Sequence, residues 1–350
     1  MTKDFELYLV GGAVRDRLLR RGTGDRDWVV VGSSESEMKS LGYLPVGKNF
    51  PVYLHPETKE EYALARKEVK VGSGHTGFEI DSNSTIKLEE DLFRRDLTIN
   101  AIAEDAKGNL IDPFNGLADI EKRILRHVSD AFVEDPLRVF RVARFAAELP
   151  DFSVAEETFE LMSIMSKKGD LGQLSAERVW LEMVKALSAQ SPERFFAVLN
   201  SCAALVDWLP ELIGLDISFT DGDSVDRYCE LNLTKDSFEA LGKRLKSPKS
   251  YRIASLYWSS YSRAVKNWKN IGKEDLYEIL EKMRLFHDAK HIDRLLKLAG
   301  RHGSYEFDAL RTIVADLLSL EVELEERVRP GRKTGLLIKA KRIEWLKEQY

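Results

Sequence analysis

Two aspartates one residue apart, directly before a run of apolar residues, constrain this chain more than any other feature. The segment reads Asp25-Arg26-Asp27 and continues as Trp28-Val29-Val30-Val31, which is typical of a buried β-strand. Side chains two residues apart on a strand point to the same face of the sheet. Two adjacent carboxylates on one face repel each other unless a cation lies between them, and Mg²⁺ prefers such oxygen ligands. The segment therefore predicts a strand that begins with a metal site.

A phosphate-binding turn is predicted just upstream. Residues 6–10 read as a strand, which ends in the pair Gly11-Gly12, and a helix is expected to open at Ala13. Paired glycines let the backbone approach an anion closely, and the first N–H groups of a helix point at it. Arg15 falls in the first helical turn and adds a charged fork for the same anion. Either motif alone is more often structural than functional, but their order and proximity make the combination stronger.

The composition is that of a globular protein with more than one domain. The chain has 350 residues, of which 43% are hydrophobic and 32% charged. We find no apolar stretch long enough for a membrane helix and no signal-peptide pattern, so we expect a cytoplasmic protein without a membrane partner. Two cysteines, Cys202 and Cys229, fit a reducing compartment. A net charge of −5 argues against a uniformly basic nucleic-acid binder but permits local basic patches.

The period of the hydrophobic pattern changes near residue 130. Before it, short β-like runs at 6–10, 27–31, 43–47, 51–55, 61–66 and 109–112 alternate with helices near 13–21, 34–41 and 88–98. From about residue 134 apolar residues recur at helical spacing and strand alternation disappears. Residues 72–85, rich in Gly and Ser, form the clearest predicted loop. The expected fold class is α+β, with a small mixed β-sheet head followed by an all-helical remainder.

A charged segment at 90–101 has two interpretations. It contains Arg94 and Arg95 next to an acidic run, Glu90-Asp91. The arginines either form ion pairs within a helix, or Arg95 acts as a phosphate clamp. The sequence gives the two interpretations about equal weight.

A second charged segment, at 134–145, carries arginines at every third position. Asp135-Pro136 has the form of a helix N-cap followed by proline at the first helical position. Arg138, Arg141 and Arg144 follow along one slowly drifting face. Such a run is usually a solvent-exposed stripe, and the alternative is an anion site.

Asp135 and Arg138 also have the chemistry to read a nucleobase. Three residues apart on a helix, they can present a hydrogen-bond acceptor beside a donor fork. Cytosine and adenine offer an amino donor next to a ring-nitrogen acceptor, whereas uracil and guanine have the opposite polarity. The pair would accept C and A and reject U and G, whose buried groups would be left unpaired. Arg141 and Arg144 would then be free to hold phosphates.

Four motifs together resemble one known family. GGAVRD, DRDWVV, RRDLTINA and EDPLRVFRVARF, in this order, are similar to those of the bacterial class II tRNA nucleotidyltransferases, the CCA-adding enzymes of the DNA polymerase β-like superfamily. The resemblance covers residues 6–146 and continues more weakly through 174–179 and 209–212. It implies a nucleotidyltransferase head at 1–128, a helical neck with the base template at 129–215, and a helical body and tail that bind tRNA at 216–350.

The resemblance also implies an activity and roles for single residues. The activity is addition of CCA to the tRNA 3′ end from CTP and ATP, with Asp25 and Asp27 as catalytic Mg²⁺ ligands. A third acidic ligand is common in the superfamily, and Glu61 is the candidate. The nucleotide would be held by Gly12, Arg15 and Arg95 at the triphosphate, Asp135 and Arg138 at the base, and Arg141 and Arg144 beside them.

Related activities share such a head. They are addition of A alone, addition of CC alone, and poly(A) polymerisation; a silent RNA-binding module would have no use for the paired carboxylates. The predicted loop at 72–85 argues against a CC-only enzyme, because such enzymes in this family tend to lack a full loop. Poly(A) polymerases tend to carry extra basic segments, whereas here only 327–342 is strongly basic. This segment is either a solubilising helix end or a phosphate contact for tRNA.

We expect no HD phosphohydrolase domain, because no histidine lies between His127 and His287.

Overall fold

The computed structural model describes residues 5–22, 24, 26–46, 52–70, 78–81, 83–303, 307–321 and 332–350. The chain forms two compact units, Met1–Gly214 and Leu215–Tyr350. Asp25, residues 72–77 and 82 of the loop predicted at 72–85, and residues 327–331 of the basic segment lie outside the described residues. Residues 78–81 of that predicted loop form a strand. The finer division into head, neck, body and tail stays a prediction.

A seven-stranded mixed sheet dominates the start of the first unit. The strands of this unit are β1 (Glu6–Val10), β2 (Asp27–Val31), β3 (Leu44–Val46), β4 (Val52–Leu54), β5 (Glu61–Leu64), β6 (Lys67–Lys70), β7 (Phe78–Asp81), β8 (Ala103–Asp105), β9 (Leu110–Ile111), β10 (Ile124–Leu125) and β11 (Ser153–Val154). The sheet has the order β3-β4-β5-β2-β1-β8-β9, while β6 pairs with β7 and β10 with β11. Within the large sheet β2 and β5 are parallel, and the other pairs are antiparallel.

The register of the central strands positions the site. Val10, the last residue of β1, pairs with Asp27, the first residue of β2, and Asp27 pairs with Glu61, the first residue of β5. The Gly-Gly turn that follows β1 therefore lies at the same sheet edge as both carboxylates. Val29 and Val30 of β2 are buried, which explains why an apolar run follows the acidic segment.

Helices make up most of the rest of the first unit. They are α1 (Gly12–Leu18), α2 (Glu35–Ser40), α3 (Leu88–Phe93), α4 (Gly116–Lys122), α5 (Leu137–Glu148), α6 (Glu156–Lys167), α7 (Ala176–Leu187) and α8 (Glu193–Ser201). Helix α5 packs against α7 and α8, and its Val139, Phe140, Val142 and Ala143 are fully buried. The arginines of α5 therefore lie on a central helix and not on a solvated one.

The predicted helix over 88–98 is wrong in its second half. Helix α3 ends at Phe93, and Leu97 is extended and bridges to His127. The backbone N–H of Thr98 donates to the carbonyl of Arg126 at 2.9 Å. Backbone pairing with a distant segment thus overrides the local helical pattern, and the next strand, β8, completes the sheet beside β1 without having been predicted.

The second unit is helical, as predicted. Its helices are α9 (Ser224–Cys229), α10 (Lys235–Arg244), α11 (Lys249–Lys266), α12 (Lys273–Lys282), α13 (Lys290–Arg301), α14 (Asp308–Ser319) and α15 (Arg332–Gln349). Two cations of the basic segment are used inside this unit: Lys339 pairs with Glu278 and Glu281, and Arg342 lies 3.7 Å above the ring of Phe286. No described helix combines the length and apolar composition that a membrane span requires.

Candidate active site

One cleft in the first unit collects all the predicted site residues that the structure describes. It has a volume of about 1240 Å³ and lies between the sheet edge at Asp27 and helix α5. The predicted residues that line it are Gly12, Arg15, Asp27, Glu61, Arg95, Asp135, Arg138, Arg141 and Arg144. Asp25 is the one predicted residue outside the described part of the chain.

The Gly-Gly turn runs beside two guanidinium groups. Gly11 has φ +70°, in the left-handed region that favours glycine. A Cβ at Gly11 would lie 3.0 Å from Nη1 of Arg95, and one at Gly12 would lie 3.6 Å from Nη2 of Arg15. The absence of a side chain at Gly11 thus leaves room for Arg95, whereas a Cβ at Gly12 would make an ordinary contact with Arg15. Two guanidinium groups beside a glycine turn are the arrangement expected of an anion site.

The guanidinium of Arg15 is fixed by its neighbours. Its Nε and Nη2 donate to the carboxylate of Asp16 at 2.9 and 3.0 Å, and its Nη1 donates to Oδ1 of Asn100 at 2.7 Å. The same group lies 5.0 Å from the ring centre of Phe145. Because the fork is held in place within the folded chain, little side-chain entropy remains to be lost when a ligand binds.

Arg94 and Arg95 share the buried carboxylate of Asp91. Nη2 of Arg94 lies 2.8 Å from Oδ1, and Nη2 of Arg95 lies 3.1 Å from Oδ2. Burial opposes ionisation of Asp91, but the two arginine charges outweigh it and hold its pKa below the usual range. The ion pairs that one interpretation predicted are present, although both arginines follow the end of α3. Arg95 still lines the cleft beside Gly11, so its ion pair with Asp91 also orients its guanidinium there.

Asp27 and Glu61 form the acidic edge of the cleft. They are register neighbours on the parallel strands β2 and β5, so their side chains point to one face of the sheet. Val29 and Ala63, two residues further along each strand, line the cleft as well. Both carboxylates are exposed, and exposed oxygen donors fit Mg²⁺, which keeps water and phosphate ligands. Among the described residues, which omit Asp25, there is no cluster of three or more potential metal ligands.

The carboxylate of Asp135 has two partners. Its Oδ1 accepts from the backbone N–H of Leu137 at 3.1 Å, which is the cap-type bond expected from the sequence. Its Oδ2 accepts from Nη2 of Arg178 at 2.7 Å. Arg178 lies in the first turn of α7, so two helices meet at this carboxylate.

Arg138 is buried and oriented by backbone. Its two terminal nitrogens donate to the carbonyls of Ala131 and Arg94. Only 7% of the residue is exposed, so a solvated stripe does not describe its position. A guanidinium has five N–H donors, and these two bonds set the direction in which the group faces the cleft.

Arg141 and Arg144 correct the expectation that both would be free to hold phosphates. Nε of Arg141 donates to Oδ2 of Asp96 at 2.7 Å. Arg144 donates from Nε to Glu182 at 2.5 Å and from Nη1 to Glu148 at 2.6 Å. Arg144 is 7% exposed, and a buried guanidinium is stable only beside counter-charges. Both arginines line the cleft as members of ion pairs.

Asp96 lies at the centre of a network between α1 and α5. Its Oδ1 accepts from Nδ2 of Asn100 at 3.0 Å, and Asn100 in turn accepts from Arg15. Burial opposes ionisation of Asp96, yet the charge of Arg141 and the hydrogen bonds from Asn100 and Arg141 hold its pKa well below the usual range. The charge of Asp96 likewise raises the pKa of Arg141. The arginines on both sides of the cleft are therefore coupled through one buried carboxylate.

Sequence reasoning missed the residues that hold the predicted ones in place. They are Asp96, Asn100, Phe145, Arg178 and Glu182. The first three fall within the motifs that carry the resemblance, but no spacing rule marks them. Arg178 falls in the weaker match at 174–179, and Glu182 had no signal because its partners are 38 and 41 residues away in sequence.

Two family descriptions match parts of the first unit. Residues 7–126 match "Poly A polymerase head domain", and residues 151–214 match "Probable RNA and SrmB- binding site of polymerase A". The first match spans the large sheet together with the glycine turn and Asp27. The fold and this match thus define a protein with a head domain of the poly(A) polymerase type.

Relatives along the whole chain define the family more closely. The CCA-adding enzyme of Pseudomonas putida (strain W619) is 42% identical over an alignment of 361 residues that covers 98% of each protein. The Multifunctional CCA protein of Pseudoalteromonas atlantica is 57% identical over 209 residues, which is 59% of this chain and 52% of that protein. The chain spans about half the length of that second relative. This chain belongs to the family of CCA-adding enzymes.

A solved structure supports the fold. The Thermotoga maritima CCA-adding enzyme complexed with tRNA_CCA superimposes with a TM-score of 0.67 at 20% identity, covering 99% of this chain and 88% of that one. At this identity the likeness concerns the fold alone, and it confirms the predicted α+β class. The relatives confirm the predicted family.

Proposed function

We propose that this chain adds CCA to the 3′ end of tRNA from CTP and ATP, without a nucleic-acid template. The observation that carries the proposal is one cleft lined by Asp135 and Arg138, by the Gly11-Gly12 turn and by Asp27. A nucleoside triphosphate would contact a group that reads its base, a turn that binds its phosphates and a metal ligand at the same time. These three must therefore lie within the length of one nucleotide. The relative that aligns with 98% of the chain bears the name CCA-adding enzyme, which favours this activity over poly(A) polymerisation.

Base selection follows from the fixed polarity of the pair. Asp135 accepts hydrogen bonds, and Arg138 donates them from an orientation set by two backbone carbonyls. Cytosine and adenine can meet an acceptor and a donor in that order, whereas uracil and guanine would leave buried groups unpaired. Rejecting a mismatched polar edge is among the strongest forms of discrimination that a binding site can achieve.

The triphosphate is assigned to the other side of the cleft. Arg15 and Arg95 flank the glycine turn, so the phosphates would lie along Gly12. Arg141 and Arg144 contribute by holding the wall of the nucleotide site through their ion pairs. In the proposed reaction the tRNA 3′-oxygen attacks the α-phosphorus, and the bond to the departing pyrophosphate breaks.

Mg²⁺ is the proposed cofactor. Asp25 and Asp27 would hold it, with Glu61 as the third carboxylate, because Glu61 is the register neighbour of Asp27. When bound, divalent ions supply activation of the attacking hydroxyl and neutralisation of charge on the leaving pyrophosphate. The arginines of the cleft supply position and further charge around the triphosphate.

One assay tests the activity. Purified protein is given labelled tRNA that lacks CCA, with CTP, ATP or both, and product length is read on a sequencing gel. We expect two added residues with CTP alone, three with both nucleotides, and none with ATP alone.

The other outcomes of the assay name the alternatives. A stop after CC in the presence of both nucleotides identifies a CC-adding enzyme, and activity only on a CC-ended tRNA identifies an A-adding enzyme. A continuing run of A identifies a poly(A) polymerase. Complete lack of incorporation refutes nucleotidyl transfer to tRNA.

A further inference from the structure

The position of the Asp135 carboxylate depends on a residue outside its own helix. Arg178, in α7, donates from Nη2 to Oδ2 of Asp135 at 2.7 Å. Its side chain is one-third exposed and lines the cleft beside the residue that it holds. The two side chains are 43 residues apart in sequence, so the contact exists only because α7 packs on α5.

We propose that Arg178 is a positioning residue that determines nucleotide specificity, because it fixes the Asp135 carboxylate in the orientation that accepts C and A. The inference rests on the proposed base-reading role of Asp135 and Arg138. Arg178 acts through Asp135 and is not assigned a contact with the nucleotide.

Discrimination by polarity requires that neither reading group can move. Cytosine and uracil have the same ring shape and differ along the reading edge in which position donates and which accepts. A carboxylate that could shift by about one atom position would meet the ring N–H of uracil as readily as the amino group of cytosine. The selectivity therefore depends on the rigidity of the pair as well as on its chemistry.

Arg138 is already immobilised, which leaves Asp135 as the group that could move. Arg138 is buried and donates to two backbone carbonyls. Asp135 is held by the backbone N–H of Leu137 on one oxygen and by Arg178 on the other. The terminal torsion of an aspartate has a broad, two-fold preference, so a single hydrogen bond does not fix the plane of the carboxylate.

Helix α7 is suited to this task because it holds α5 at a second point. Glu182 lies one helical turn after Arg178, on the same face of α7. Its carboxylate accepts from Nε of Arg144 at 2.5 Å and lies 3.9 Å from Nη1 of Arg141. One face of α7 thus makes two charged contacts, from Arg178 to Asp135 and from Glu182 to the arginines of α5.

The test compares Arg178→Met with the wild type by kcat/KM for CTP and UTP on tRNA lacking CCA, and for ATP and GTP on tRNA that ends in CC. We expect the preference for CTP over UTP to fall by about tenfold or more, the scale of one lost charge-assisted hydrogen bond. Arg178→Lys keeps a charged donor and should recover part of the preference. Arg178→Gln is a second neutral variant, which carries the test should the methionine variant not fold.

Arg126→Met is the matched control. Its side chain is also one-third exposed and is paired with carboxylates, those of Asp119 at 3.1 Å and of Glu157, but it lies outside the cleft. We expect this variant to keep the wild-type preference. A similar loss of preference in Arg126→Met would show that any lost ion pair in the unit has this effect, and it would overturn the inference.

A double-mutant cycle distinguishes positioning from a general structural role. In an Asp135→Asn background the Arg178→Met change should alter the CTP-to-UTP preference by less than twofold. The reason is that the carboxylate through which Arg178 acts is no longer present. An undiminished effect in that background, or an unchanged preference in both neutral variants, overturns the inference. If the wild type incorporates no nucleotide, the proposed function fails, and that result is separate from either outcome.

Discussion

Replacing Asp96 by asparagine should destabilise the first unit by about 3 kcal/mol at neutral pH. Oδ2 of Asp96 accepts from Nε of Arg141 and also lies 2.7 Å from its Nη2, while Oδ1 accepts from Leu97 and Asn100 at 2.8 and 3.0 Å. Breaking a buried ion pair by removing one partner costs about 3–5 kcal/mol. Arg141 is one-third exposed, so water can partly solvate it, and the lower end of that range applies.

Asparagine is an informative substitution because its side chain has nearly the same shape as that of aspartate. One of its terminal atoms becomes an NH₂ group, which must face either Arg141 or the donors from Leu97 and Asn100. Both choices place a donor against a donor. The loss therefore comes from charge and hydrogen bonding and not from a cavity.

The effect should depend on pH with a definite sign. Because the pKa of Asp96 in the folded chain is lowered, its contribution is fully present above the unfolded pKa of about 3.9 and is lost as the pH falls through the folded value. The difference in free energy of unfolding between the wild type and Asp96→Asn should be constant from about pH 8 to 5. By about pH 3.5 it should be smaller by roughly 0.7 kcal/mol.

Native-state hydrogen exchange of the buried amides of α5 is the appropriate measurement. The chain has two units, so a single global transition is not expected, whereas these amides report on the first unit. Asp151→Asn serves as the control, since Asp151 is exposed and its substitution should change stability by less than about 0.5 kcal/mol. A loss below about 1 kcal/mol, or a loss that is the same at every pH, would refute the account of the Asp96 network.

Three further predictions concern activity. Asp27→Ala should abolish nucleotide incorporation with little change in thermal melting, since the side chain is exposed; normal turnover would remove Asp27 from the proposed metal site. Arg138→Ala should relax selection of C and A more than it weakens triphosphate binding, and unchanged rejection of UTP and GTP would argue against its reading the base. Gly11→Ala should raise KM for CTP and ATP alike and cost about 1 kcal/mol of stability, because φ is +70° and the new Cβ would crowd Arg95. Nucleotide titrations and melting curves of that variant would contradict this prediction if they matched those of the wild type.

The parts of the fold that sequence predicted are those with a strong local pattern. β1, β2 and β5 were predicted within two residues of their observed bounds, because short runs of apolar and aromatic residues next to glycine or acidic residues have few alternatives. β8 was missed because its residues, Ala103–Asp105, are of types that are depleted in strands, and its place in the sheet depends on pairing with β1. Short strands of this kind are fixed by long-range pairing and not by local preference.

The candidate site shows the same division between local and distant information. The sequence predicted which side chains line the cleft, because carboxylate and arginine spacing is a local property. It did not indicate which of them would be paired, as the contacts of Arg141 with Asp96 and of Arg144 with Glu182 show. The roles assigned to the cleft residues stay predictions until the variants are measured. What the structure adds is the set of partners against which each role can be tested.

The cleft also explains how a chain with a net charge of −5 can present a site for a highly charged anion. Of the described residues that line the cleft, eight are arginines and five are acidic, and none is lysine. A lysine would place a mobile point charge there, whereas a guanidinium offers a planar fork that neighbouring carboxylates can orient. Carboxylates such as Asp91 and Glu182 are buried behind the arginines, where they fix direction without facing the ligand. The acidic partners therefore lower the net charge of the protein while leaving the local field of the cleft positive, and selectivity comes from the oriented forks and not from overall charge.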